Sequence, residues 1–196
     1  GDIVAIFDAE DRPARDQLLA AADAFRASDH RLAVVQAPLN IHNGSESWLA
    51  AQFEIEYAIH FRVWLPFLAR IGAPLALGGT SNYFRREALE AAGGWDAWNV
   101  TEDADIGLRL ARLGYRAAMI EPPTDEEAPT RLGSWMNQRT RWMKGYLQTW
   151  LVLNRNPVKT ARGMGLFNYL LTQLTLGGAL LAAMAHGPLL AWILAS

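Results

Sequence analysis

Apolar residues are arranged in three ways along the chain, and each arrangement predicts a different kind of element. In the front part, short apolar runs stand between polar stretches. Residues 3–7 and 31–37 read as buried strands, and the stretch between them carries Gln17, Leu18, Leu19 and Ala22 as a helix running to about residue 27, with Pro13 suited to its first position. Strand, helix and strand at this spacing predict an α/β layer with a parallel sheet. In residues 46–71 the large side chains Trp48, Leu49, Phe53, Tyr57, Phe61, Trp64 and Leu68 fall mostly three or four apart, a helix interrupted by Pro66. Its aromatic face suits a protein core or the headgroup layer of a membrane. Residues 75–79 lead into Thr80-Ser81-Asn82-Tyr83-Phe84. A short helix over 86–92 closes at Gly93-Gly94, Thr101 can cap a helix over 103–113 ended by Gly114, residues 115–121 read as a strand, and 122–127 as a polar loop. A long helix over 132–153 follows.

The third arrangement is a tail. From residue 163 to 196 there is no Asp, Glu, Lys or Arg. Residues 164–185, if helical, span roughly 33 Å, about the thickness of a bilayer core, and predict a membrane span. Asn168, Thr172, Gln173, Thr175 and Gly177-Gly178 suit a helix packed against other helices. After a break at 186–188, residues 189–195 read as the start of a second span. Lys144, Arg155, Lys159 and Arg162 precede the first, which places the front region on the cytoplasmic side of the cell's inner (plasma) membrane.

Composition narrows the chemistry. With 196 residues there is material for one domain, and the first residues carry no basic start or cleavage pattern and run straight into a strand, so the natural chain is expected to begin upstream. A net charge of -2, from 18 basic and 20 acidic residues, gives no case for a nucleic-acid partner. The absence of cysteine excludes disulfide scaffolds, thiolate metal sites and cysteine nucleophiles. None of the four histidines has metal-ligand spacing to another, and P-loop and lipase-type motifs are absent.

Three clusters could carry chemistry. Asp8 and Glu10 straddle Ala9 at a strand end, where extended backbone sends both carboxylates to one side as donors for a hard cation; taken alone, the pair is read more readily as a solvated acidic turn with Asp11 as helix cap. Thr101-Glu102-Asp103-Ala104-Asp105 opens a helix. Its acids complement the helix dipole, or one of them serves as a general base worth 10² to 10⁴ in rate. In Gln138-Arg139-Thr140-Arg141-Trp142, residues 138, 141 and 142 share one helical face, so an amide, a permanent cation and an indole point together. Such a trio suits a sugar-phosphate ligand, and the same residues with Trp135, Lys144 and Trp150 also compose the belt of a helix lying on a membrane. Gly78-Gly79-Thr80-Ser81-Asn82 could admit a ligand close to backbone.

In this order, followed by a membrane span, these clusters resemble the membrane-bound processive β-glycosyltransferases of family two, the cellulose, chitin and hyaluronan synthases. The resemblance covers essentially the whole chain and is carried chiefly by Thr101-Glu102-Asp103 with Gln138-x-x-Arg141-Trp142. It implies an α/β fold: residues 1–130 as the C-terminal half of a glycosyltransferase A-type, Rossmann-like domain, 131–163 as amphipathic interface helices, and 164–196 as a transmembrane region. It also implies that Asp8 and Glu10 match the motif holding Mg²⁺ (or Mn²⁺) and the nucleotide diphosphate. Asp103 matches the catalytic base with Glu102 beside it. Gln138, Arg141 and Trp142 match the contacts to diphosphate and acceptor, and the stretch from Gly79 and Thr80 to Asn82 lies near the acceptor terminus. Glu10 stands where the commonest motif has aspartate, and Gly-Thr-Ser-Asn differs from the loop of cellulose synthases, which leaves the particular polymer open. The partners implied are a UDP-sugar donor, a polysaccharide acceptor, membrane lipid and accessory export subunits. Two other functions fit the same frame: a non-processive transfer to a polyprenyl phosphate, and a catalytically silent membrane scaffold or glucan-binding subunit.

Overall fold

The structure, a computed structural model, describes residues 1–195. In chain order it comprises β1 (Ile3–Ile6), β2 (Arg12–Pro13), α1 (Gln17–Arg26), β3 (Leu32–Gln36), β4 (Leu39–Ile41), α2 (Trp48–Ile59), α3 (Leu65–Arg70), β5 (Asn82–Arg85), α4 (Arg86–Ala91) and α5 (Glu102–Arg112). There follow β6 (Arg116–Met119), β7 (Thr124–Glu126), α6 (Leu132–Leu153), α7 (Pro157–Met164), α8 (Leu166–Thr172) and α9 (Gly178–Ala195). One π-helical turn, His60–Trp64, joins α2 to α3 and another, Gln173–Gly177, joins α8 to α9.

The main sheet runs β1-β5-β3-β6. Strand periodicity builds its two faces: Val34 and Phe84 pack with Leu65, Leu75, Ile106 and Leu110 on one side, while Val35 and Tyr83 pack with Ala21 and Phe25 of α1 on the other. The sheet is mixed, which corrects the expectation of a parallel one. β1 and β3 do point the same way, but β5 lies between them antiparallel to both, and only β3 and β6 pair in parallel. β1 is an edge strand rather than a buried one, with Ile3 and Phe7 37% and 38% exposed.

A second sheet runs β2-β7-β4; β2 and β7 are too polar, and β4 at three residues too short, to be legible as strands. Pro13 belongs to it, pairing with Thr124, and does not open α1. At an edge the missing N–H of proline leaves no ladder bond unmade. Pro66 likewise does not interrupt its helix. The π-helical turn before it lets the Leu65 N–H donate to His60 O, and the chain passes Pro66 without a break.

Residues 157–195 form a helical tail. Gly165, at φ +86 in the left-handed region, turns the chain between α7 and α8. Leu166–Leu189 is long and apolar enough, by length and composition, to cross a membrane. The break expected at 186–188 is absent, because α9 carries Pro188 within it and continues to Ala195.

Candidate active site

The site begins where β1 ends. Residues 8–11 form a tight turn closed by the Asp11 N–H on Asp8 O at 3.2 Å, so Asp8 and Glu10 do not alternate along extended backbone as their spacing suggested. The turn is stitched to the glycine-rich loop: the Asp8 N–H donates to Thr80 Oγ1 at 3.1 Å and to Asp11 Oδ2 at 2.8 Å, and the Thr80 hydroxyl donates to Asp11. The loop is braced from beneath. Gln36 donates to Thr80 O and accepts from the Gly78 N–H, and Asn82 Nδ2 reaches Gly78 O and Thr80 O. Ser81 is held at φ 58, unusual for a residue with a side chain, by its N–H on Ile6 O and its hydroxyl on Thr124 Oγ1. These buried amides and hydroxyls fix where Asp8 and Gly79 stand.

The first turn of α5 supplies the opposite wall. Thr101 sits at its N-terminus without a side-chain cap bond, and Asp103 Oδ1 accepts from the Ala104 N–H at 2.7 Å. Gly79 lies so near that a Cβ there would come 3.4 Å from Asp103 Oδ2. Asp8, Gly79, Asn82, Trp95, Glu102 and Asp103 thus line one cavity of about 320 Å³. Burial first, then the neighbouring Glu102 and Asp8 charges, push the Asp103 carboxyl up to about 6. Asp8 is raised by burial and by Asp11, Glu10 and Glu102.

A further carboxylate was invisible in the polar loop reading of residues 122–127. Glu126, on β7, is pushed up to about 7 by burial and then by Asp11, Asp8 and Glu10. Asp11 belongs to the same patch, with its Oδ1 buried and unpartnered. Among the described residues no group of three or more acidic or histidine side chains is arranged to hold a metal. A patch of hard oxygens with uncompensated charge and an orphaned lone pair nonetheless fits Mg²⁺ or Mn²⁺ held by one or two carboxylates and completed by a ligand's phosphates.

Helix α6 closes the region by its middle. A Cβ at Gly145 would fall 2.5 Å from Thr101, so the helix lies directly on the start of α5, and Asn99 Nδ2 donates to Thr149 Oγ1 at 2.7 Å. Tyr146 is pushed up to about 12 by burial and then by the Asp103 charge. Two turns earlier, Arg139 is enclosed by aromatic rings, with its guanidinium carbon 4.9 Å from the Trp142 centroid, 5.0 Å from Phe53 and 5.4 Å from Trp135. It also makes a two-pronged pair with Glu56 of α2, at 2.6 and 2.5 Å.

The expected residues therefore separate into two groups. Asp8, Glu102, Asp103 and Gly79 meet at the cavity, with Thr80 hydrogen-bonded beneath and Glu10 exposed on the turn. Gln138 and Trp142 turn inward on α6, Gln138 with a buried Oε1 lacking a partner and Trp142 against Phe53, whereas Arg141 is exposed and is not among the lining residues. Gln36, Glu126 and Tyr146 went unread, because an isolated polar residue in a strand, a loop or a long helix carries no periodic signal, and Asp11, read as a helix cap, instead binds the Thr80 hydroxyl.

Against known proteins, the chain matches the model of glycosyl transferase family group 2 over residues 3–195. Beta-monoglucosyldiacylglycerol synthase of Trichormus variabilis is 30% identical over 200 residues, covering 96% of this chain and 42% of that protein. Probable glucomannan 4-beta-mannosyltransferase 1 of Arabidopsis thaliana is 30% identical over 145 residues, covering 74% of this chain and 26% of that protein. A mannosyltransferase from Pyrobaculum calidifontis, solved in complex with GDP-Man and Mn²⁺, shares the fold, with a TM-score of 0.60 and 24% identity over 100% of this chain and 55% of that one. The chain spans less than half the length of these curated relatives.

Proposed function

The chain belongs to glycosyl transferase family group 2, and from that membership we propose that it carries the acceptor-side half of an inverting hexosyltransferase that extends a β-linked polysaccharide from a UDP-sugar. The observation that supports this most is the meeting of Asp8 and Asp103, far apart in sequence, across one cavity. Asp103 is the base: a carboxyl at about 6 is ionised near neutral pH and still basic enough to take a proton. As the acceptor hydroxyl loses its proton to Asp103, its oxygen bonds to the anomeric carbon from the face opposite the diphosphate, the carbon–oxygen bond to the diphosphate breaks, and the configuration inverts. Asp8 and Glu10, with Glu126 nearby, would hold a divalent cation whose contribution is to screen charge on the departing diphosphate. Gln138, Arg141 and Trp142 are assigned to diphosphate and acceptor. In support, Arg141 is exposed with no ion-pair partner among the described residues, and Trp142, packed against Phe53, keeps only part of its surface open.

A lipid acceptor is a second reading. It is favoured by the alignment of beta-monoglucosyldiacylglycerol synthases with 96% of the chain and by the exposed apolar helix next to the domain. The two readings separate on product. Full-length protein in membranes is incubated with individual radiolabelled UDP-sugars, and the product is extracted and digested with linkage-specific hydrolases. Polymer released as oligosaccharides supports the first reading, and a single sugar that stays in the lipid extract supports the second. Absence of transfer from any nucleotide sugar, together with tight glucan binding, would reduce the protein to a scaffold.

A further inference from the structure

The outer face of α2 and α3 carries a row of large apolar side chains that none of the described residues covers. Trp48, Ile55, Ile59, Val63, Phe67 and Ile71 are each at least 42% exposed, while Phe53, Phe61, Leu65 and Leu68 on the inner face are buried. From Ile55 onward the row repeats every four residues. In an uninterrupted α-helix such a row drifts by about 40° per step and would wind most of the way to the far side by Ile71. The π-helical turn His60–Trp64 takes up one extra residue and sets the phase back by roughly 100°, so that Val63, Phe67 and Ile71 continue the line of Ile55 and Ile59. That irregularity keeps the row on one side of the molecule.

We propose that this row lies in the headgroup-to-acyl boundary of a lipid bilayer, as a second membrane contact of the domain beside the apolar helix. The row ends at the foot of that helix: Asn168 Nδ2 of α8 donates to Gly72 O, one residue past Ile71, and Leu166, Phe167 and Leu170 are themselves exposed. A bilayer that takes up residues 166–189 therefore meets the end of the row directly. The charges around it fit. Arg62 and Arg70 stand exposed beside the row, suited to anionic headgroups, and Glu56 is neutralised by Arg139. The proposal rests on residues 166–189 being a span, and it does not depend on which sugar is transferred.

The chain contains no cysteine, so single labels can be placed without background. An environment-sensitive fluorophore is attached at I59C, F67C, L174C in the apolar helix, and L19C on α1 across the sheet, which is also apolar and exposed. The chain is reconstituted in phosphatidylcholine–phosphatidylglycerol vesicles in which some lipids carry bromine near the top of the acyl chain. The expected result is several-fold stronger quenching at positions 59 and 67 than at 19, with protection from aqueous iodide. Quenching at 59 and 67 no greater than at 19 overturns the proposal. If position 174 is quenched in that case, the span stands without the surface contact; if it is not, both fall together. Iodide protection at 59 and 67 that grows with protein concentration without lipid quenching assigns the face to a second copy of the chain and also overturns the proposal.

Discussion

Asp103 holds its proton more tightly than a solvated aspartate because burial and two neighbouring carboxylates disfavour its charge. Activity that needs the ionised form should fall as pH drops through about 6, seen as an acid limb in kcat/KM, and D103N should lose 10²- to 10⁴-fold in transfer while still binding UDP. Stability moves the other way. The folded-state value lies above the ordinary 3.8, so this group's contribution is full below about 4 and is lost as pH rises through about 6. The difference corresponds to about 3 kcal/mol at neutral pH, and D103N should therefore raise the melting temperature at pH 7.5, with the gain gone by pH 4. A variant less stable than its parent at pH 7.5 would show that Asp103 is not strained in this way. Asp103 was legible because its Thr-Glu-Asp setting at a helix start is a local pattern. Glu126, equally perturbed, sits in Thr-Asp-Glu-Glu, which reads as an ordinary loop until β2 and β4 are seen on either side.

Among the elements, α6 was the most legible and has the limits its periodicity predicted, Leu132–Leu153. What it touches was hidden, since contact at Gly145 depends on the absence of a side chain. Two glycines in this helix make a controlled comparison. G133A adds a methyl where nothing lies within 4 Å and should gain about 1 kcal/mol of helix propensity. G145A makes the same gain but drives a Cβ against Thr101, and overpacking of about 1–3 kcal/mol outweighs it, so thermal unfolding should move in opposite directions for the two. G145A should also lower kcat, because Thr101 begins the turn that carries Asp103. Elsewhere the elements that escaped the sequence did so for identifiable reasons. β2 is two residues long with a proline, β7 has no apolar residue, and a π-helical turn leaves the apolar period almost unchanged.

For the whole molecule, the order of the motifs carried more than any one of them and led to the family, while the spacing of strand, helix and strand at the front of the chain led to the α/β layer. The direction of β5 did not follow from that order, because insertion of an antiparallel strand between two parallel neighbours is a long-range choice with no local signature. The carboxylates of residues 8–11 and Glu126 gather only at this scale, from two separate loops. Titration of full-length protein with UDP should be tighter with Mg²⁺ than with EDTA, and E10Q should narrow that difference several-fold, measured calorimetrically. Identical titrations for parent and E10Q would leave Glu10 as part of a solvated turn.

Among the described residues β1 has a partner, β5, on only one of its sides. Backbone donors and acceptors along the other side form a template that any extended peptide can copy, and an unguarded rim of this kind drives strand-by-strand clumping. Purified by itself, the chain should therefore build oligomers in proportion to its concentration. A lysine at the solvent-facing Ala5 should disperse them, which light scattering on A5K and its parent at matched concentration would register.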